Sequence, residues 1–380
     1  MKKVWLFSPF ILSMLVSPLS SDQPLEGEVA KSSLFGQKKL LDCSKHQCTS
    51  CCPPKVNYRL PSDFSGANTF VEYLIWQVQE QASHFVITPN DDSVLDPNYR
   101  NTEGLGTIRS VPFKWASGVR VGLGYTAERD AWQALGQYTW FSTEGKKSYS
   151  FQPTVTQFLM PTHYAQSTTG TSSASGKVEF SYQMADLLAA RTFLLTEQIR
   201  LNFSFGGTGG YIKEDFHVTY GATNNTYLKN DWSFGGGGFR AAIDSNWHID
   251  HGFGVFGRFS FATILGHYSN INRMTADAPI NGPISGPVSA YPAKTTYKTI
   301  MLMPTTQIVL GFDWYRSFTN CWVSAVRAAV AAEFNNLANL HQVFKVIDFP
   351  FDPSFGKNPA IRDFSSVYMY GANVRVGADY

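Results

Sequence analysis

Along the last fourteen residues, VYMYGANVRVGADY, apolar and polar positions alternate one for one. Tyr368, Tyr370, Ala372, Val374, Val376, Ala378 and Tyr380 fall on one side, and Gly371, Asn373, Arg375, Gly377 and Asp379 on the other. A period of two is the mark of a strand with one dry and one wet face. About ten such segments recur, at 69–80, 113–125, 131–142, 178–193, 198–213, 231–246, 252–265, 301–315, 321–335 and 366–380. Between them, short links (126–130, 194–197, 247–251, 316–320) alternate with long ones (81–112, 143–177, 214–230, 266–300, 336–365). The long links are rich in Pro, Ser, Thr, Asn and Gly, as in HYAQSTTGTSSASGK and TADAPINGPISGP. Such alternation predicts an all-β transmembrane antiparallel barrel of about ten strands, with 12 as the alternative, having short periplasmic turns and long extracellular loops. A β-sandwich has no reason to alternate its links this way.

The faces support a barrel. In KWASGVRVGLGYT, Trp115, Ser117, Val119, Val121, Leu123 and Tyr125 share one side, while Lys114, Ala116, Gly118, Arg120, Gly122 and Gly124 share the other. Trp115 and Tyr125 would stand about 25 Å apart at ~3.3 Å per residue and ~40° tilt, the height of a lipid band between aromatic girdles. Trp132 and Trp140 bracket the next strand, and Trp247, Trp314 and Trp322 lie beside short links, where a periplasmic girdle belongs. Tyr368 and Tyr380 complete the expected girdle. Leu201, Phe203, Phe259 and Phe261 join Val374 and Val376 on the lipid-facing side. In 178–193 neither face is clean, and Arg191 would have to lie near the membrane interface.

Composition narrows the class. Charged residues are only 16% of the 380, aromatics are 15%, and net charge is +2, so no basic surface argues for nucleic acid. The start, MKKVWLFSPFILSMLVSPLSSD, has two lysines, a short apolar run and small residues, which reads as a secretory signal peptide over 1–21. No later apolar run is long enough for a spanning helix, so membrane insertion would require a closed barrel. The expected layout is a signal peptide, a periplasmic cysteine-bearing segment at 22–67, and a barrel at 68–380.

Catalytic and cofactor signals weigh less than their structural readings. SFGGGGFRAA and FGGTGGY suggest phosphate loops, but each continues as a strand, with no helix to present its N-terminus to a phosphate. His248, Asp250 and His251 in NWHIDHG could bind metal or exchange protons, yet they occupy a short link and read better as a polar turn. No catalytic, metal or cofactor residue is assigned.

Six strands place an arginine inward: Arg120, Arg200, Arg240, Arg258, Arg327 and Arg375. Inward carboxylates number four, Glu72, Asp244, Asp313 and Glu333. Either these charges fill a narrow lumen as salt bridges, or the positive excess gives an open pore a weak anion preference. CSKHQCTSCC holds Cys43, Cys48, Cys51 and Cys52, and Cys321 stands alone at a short link. A zinc knuckle using His46 fits no standard spacing, and an exported chain meets oxidising conditions, so disulfides are the better reading. With five cysteines, at least one is free or joined to another chain.

FVEYLIWQ, WASGVRVGLGY, WQALGQYTWFS and LNFSFGGTGGYIKEDFHVTY, in that order, resemble the Legionella-type major outer membrane proteins and the similar proteins of Chlamydia-related bacteria. The resemblance spans roughly 68–380 and leaves out the cysteine cluster. It implies an outer-membrane barrel, porin-like and abundant, passing small solutes by diffusion, often disulfide-linked, and without catalytic residues. Implied partners are outer-membrane lipids, the barrel-assembly machinery and, through disulfides, other envelope proteins or further copies. The alternative is a structural or adhesive protein with a side-chain-filled barrel, cross-linked through its N-terminal segment. The aromatic end at Tyr380 suits recognition by the assembly machinery.

Overall fold

The computed structural model describes residues 66–80, 83–89, 106–127, 132–152, 159–162, 171–196, 198–221, 225–276, 293–318, 322–346 and 360–380. The expected signal peptide and all five cysteines lie outside the described residues. Among the described residues thirteen strands form: β1 (Gly66–Glu80), β2 (His84–Pro89), β3 (Gly106–Ser110), β4 (Ala116–Thr126), β5 (Trp132–Ser150), β6 (Met160–Pro161), β7 (Ser173–Leu194), β8 (Ile199–Gly221), β9 (Thr226–Asp250), β10 (Phe253–Ala276), β11 (Ala293–Ser317), β12 (Ala325–Val346) and β13 (Ala360–Asp379). Ten of them close an antiparallel barrel in the order β1-β13-β12-β11-β10-β9-β8-β7-β5-β4. The other three form a small sheet, β3-β2-β6, built from two of the long links.

Local chemistry explains the tight end. At the β9–β10 hairpin, His251 (φ 51°) and Gly252 (φ 84°) both adopt positive φ, as a two-residue turn matched to strand twist requires. Gly252 suits the position twice over, since a Cβ there would lie 2.2 Å from the Tyr315 carbonyl oxygen. Asp250 accepts from the His251 backbone N–H and pairs with its ring at 2.7 Å.

The strands are longer than the lipid requires. β9, with 25 residues, would rise roughly 60 Å at ~3.3 Å per residue and ~40° tilt, against a lipid band of about 25 Å. The outer surface marks where lipid stops. Trp140, Gln183, Tyr211, Gly235, His267 and Ile300 are consecutive cross-strand partners from β5 to β11. On the side toward the short turns, outward positions are apolar: Tyr138, Ala185, Gly209, Gly237, Leu265 and Leu302. On the other side they become Ser142, Ser181, Lys213, Ser233, Ser269 and Lys298.

Beyond that boundary, Glu144, Glu179, Asp215 and Asp231 are successive cross-strand partners, and the next outward row holds Lys146, Lys177, His217, Lys229, Arg273 and Lys294. Like charges thus neighbour one another across strands, while opposite charges alternate along them. Lys177 pairs with Glu179, Lys213 with Asp215, and Lys229 with Asp231 at 3.2 Å.

These extensions correct the expected loops. The 214–230 link is mostly strand, with only 222–225 between β8 and β9, and β5 and β7 likewise run well into the expected 143–177 link. Outside the lipid the alternation continues with its phase inverted: outward side chains turn polar and inward ones apolar, as with Phe216, Val218 and Tyr220 on β8.

The small sheet lies against this apolar interior. Phe85 and Val86 of β2 are fully buried, and Val111 and Phe113 beyond β3 nearly so. They join one cluster with the inward Trp76, Phe180, Trp232 and Tyr268. The Tyr220 hydroxyl donates to the Phe85 carbonyl at 2.6 Å, and Phe85 packs on Tyr149 at 5.9 Å between ring centroids.

Candidate functional site in the barrel interior

Register builds the centre of the lumen. Glu72 on β1 faces Arg375 across β13 and Arg120 across β4, so one carboxylate has an arginine on each side. Arg120 Nη1 reaches Glu72 Oε2 at 2.9 Å, its Nη2 reaches Glu333 Oε1 at 2.8 Å, and its Nε donates to Thr139 at 3.0 Å. Its guanidinium also lies 5.6 Å from the Trp76 ring centroid. Glu333 accepts further bonds from Gln307 (2.6 Å), Asn335 (3.0 Å) and Asn373 (2.7 Å). Gln307 accepts from Ser260 at 3.0 Å. This network therefore ties β1, β4, β5, β10, β11, β12 and β13 together across the lumen.

A second network covers the remaining wall. Asp186 Oδ2 accepts from Arg240 at 2.8 Å and from Gln137 at 2.7 Å, joining β9, β7 and β5. Ser204 and Thr208 add buried hydroxyls from β8. Each of the ten barrel strands thus contributes at least one polar side chain with under a tenth of its surface exposed. Closer to the turns, Arg258 pairs with Asp244, Asn246 donates to Asp313 at 2.9 Å, and Arg327 reaches Asp379 at 2.8 Å. Arg375 lies 3.3 Å from Glu72 and stacks on Phe70 at 4.3 Å. Arg200 is also buried.

All ten charges expected in the lumen fall on the interior side. The expected positive excess does not survive, because two further carboxylates point inward. Asp186 pairs with Arg240 and Asp379 with Arg327, bringing the inward carboxylates of this half to six against six arginines. Asp186 was hidden because Leu187, Leu188, Ala189 and Ala190 make both faces of its strand apolar. Nor is Gly122 open toward the lumen: the Phe70 ring covers it, and a Cβ there would come within 2.1 Å. This is an aromatic side chain filling the gap left by glycine.

The expected girdle residues divide between two levels. Trp115, Trp140 and Tyr368 stand toward the extended end, with Trp115 edge-on to Tyr370 at 5.9 Å. Tyr125, Trp132, Trp247, Trp314, Trp322 and Tyr380 stand by the short turns, and Trp322 is 98% exposed. His248 lies half-buried on β9, and His251 lies exposed in the β9–β10 turn. Among the described residues no group of three or more His, Cys, Asp or Glu side chains is arranged to hold a metal ion.

Residues 60–329 match the family described as the Legionella pneumophila major outer membrane protein precursor. The chain belongs to this family. It is accordingly an outer-membrane protein, and its ten-stranded antiparallel barrel crosses that membrane with strands. No curated protein sequence matches it. Among solved structures it is similar to the outer membrane protease OmpT of Escherichia coli, at 10% identity over 83% of this chain and 97% of that one, TM-score 0.37. It is also similar to a Pseudomonas aeruginosa FadL homologue, at 10% identity over 82% and 90%, TM-score 0.26. At those scores neither likeness bears on what this family member does.

Proposed function

We propose that this outer-membrane protein is a closed-lumen barrel serving as a structural component of the envelope, rather than a general diffusion pore. The observation that carries the reading is the pair of interior networks, which join nine of the ten strands through buried polar side chains, with the buried hydroxyls of Ser204 and Thr208 lining the wall on the tenth, β8. Ten strands leave an interior that side chains can fill. A solute would have to break the Arg120–Glu72–Glu333 contacts and then pass an apolar interior packed against β2. The reading includes no catalytic step. The described histidine–carboxylate pairs, His251–Asp250 and His217–Asp231, lie in an exposed turn and on the outer wall.

The cysteine-bearing stretch fits the same role. A periplasmic segment with four clustered thiols, joined to a rigid barrel, is a means of covalent attachment to neighbouring envelope proteins or further copies. The test of closure is electrical. Full-length refolded protein in planar bilayers should give no sustained open-channel current, and proteoliposomes should not swell in small sugars. Steady conductance of general-porin size, with solute entry, would restore the diffusion reading.

A further inference from the structure

We propose that the outer wall of the barrel carries a binding site for the phosphodiester headgroup of a phospholipid in the periplasmic leaflet, centred on Arg191. Arg191 points away from the lumen, toward lipid. Its guanidinium carbon lies 5.6 Å from the Trp132 ring centroid and 5.5 Å from that of Phe193. With Phe203 and Phe205, these residues line a cleft of about 370 Å³ on the β5–β7–β8 surface. Edge-to-face contacts brace its walls, Trp132 on Phe205 at 6.3 Å and Phe193 on Phe203 at 5.6 Å. Among the described residues no carboxylate pairs with Arg191.

Depth selects the ligand. Arg191 is the cross-strand partner of Trp132, eight residues along β5 from Trp140 at the outer lipid boundary. That places it roughly 20 Å below the boundary at ~3.3 Å per residue and ~40° tilt, close to the far edge of a band about 25 Å tall. There a cation facing lipid meets phosphates and little else of opposite charge. Both ring faces attract the guanidinium, Trp132 from the neighbouring strand and Phe193 from its own, and its N–H donors can fork onto two phosphate oxygens.

The surface above the cleft suits an acyl chain. Moving from Arg191 toward the outer leaflet, outward positions are Ala134 and Gly136 on β5, Ala189 and the exposed Leu187 on β7, and Gly207 and Gly209 on β8. A Cβ added at Gly207 would meet nothing within 4 Å. The wall is therefore shallow on either side of Leu187, whose side chain gives the hydrocarbon of a bound lipid an apolar ridge to lie along.

The test is native mass spectrometry of the full-length refolded protein mixed with phosphatidylglycerol, with heat-modifiable gel migration confirming that each variant folds. Wild type should retain one phosphatidylglycerol. Arg191→Gln should weaken retention about tenfold, as loss of a charge-assisted pair does, and Arg191→Lys should retain an intermediate amount. Diacylglycerol, which lacks phosphate, should not be retained. Equal retention by folded Arg191→Gln, or equal binding of diacylglycerol, would overturn the site. Displacement of the lipid by millimolar inorganic phosphate would assign the cleft to free phosphate and overturn the lipid assignment. If Arg191→Gln does not fold, the Lys variant and the diacylglycerol comparison decide between the same two outcomes.

Discussion

At the scale of residues, buried charge dominates the interior. Arg120 joins two carboxylates that water does not reach, so truncating it leaves Glu72 and Glu333 close together with less compensation. Arg120→Ala should destabilise the barrel by about 3–5 kcal/mol, measured by urea unfolding in lipid bilayers. A quadruple variant that also replaces the arginine on the far side of Glu72, Arg120→Met with Glu72→Leu, Glu333→Leu and Arg375→Met, should recover part of that loss, since apolar replacement of a whole buried ion cluster is often neutral or better, while the amides of Gln307, Asn335 and Asn373 lose their acceptor. On the other face, Val121 is 42% exposed to lipid, and Val121→Arg should cost about 2–4 kcal/mol near the midplane. The same substitution at Ser148, beyond the charged rows, should cost far less, and equal costs would break the assignment of the lipid band. Both inward and outward faces were legible in the sequence because a strand in lipid must be apolar outside. Asp186 was not, since its neighbours are apolar on both sides and the period disappears.

At the scale of elements, the strands cross two environments, and their pattern reports both. On β8, Leu201, Phe203 and Phe205 face lipid, whereas Phe216, Val218 and Tyr220 face inward. A window centred near Tyr211 therefore sees apolar residues on both faces and loses its alternation. The extensions accordingly looked like loops in the sequence, although β8 continues to Gly221 and β9 resumes at Thr226. The small sheet was illegible for another reason: β6 is two residues long, and β2 is held by burial rather than by a periodic face. Its docking rests on Phe85 and on the Tyr220 hydroxyl. Tyr220→Phe should cost about 1 kcal/mol, the net worth of one hydrogen bond. Phe85→Asp should release the sheet from the interior while the barrel persists. The readout is limited proteolysis: cleavage between β1 and β4 should accelerate in Phe85→Asp, with the gel migration of the folded barrel unchanged. An unchanged cleavage rate would mean that β2 is held by something other than this packing.

At the scale of the whole molecule, the proposed closed lumen moves the search for function to the surfaces of the barrel and to the cysteines ahead of it. The sequence places Cys43, Cys48, Cys51 and Cys52 ahead of β1 and Cys321 in the link between β11 and β12. β1 begins and β11 ends at the short-turn end, which is periplasmic in outer-membrane barrels. All five thiols would then share one oxidising compartment, where thiolate exchange can join them within a chain or between chains. Adjacent Cys51 and Cys52 are poorly placed to bond to each other, because a disulfide requires its Cα atoms 4.4–6.8 Å apart with a particular torsion. Pairing elsewhere is therefore favoured, and the odd total leaves at least one thiol over in any chain whose bonds are all internal. Non-reducing gels of thiol-blocked envelopes should accordingly show a ladder of oligomers that collapses to monomer with reductant. Replacing all four clustered cysteines by serine should abolish the ladder while the barrel still inserts, because none of the ten strands contains them. A monomer band alone under the same conditions would reassign the cysteines to an internal staple, and stoichiometric zinc in the purified protein would reassign them to a metal knuckle. Either result would leave the closed barrel standing and remove cross-linking from its role.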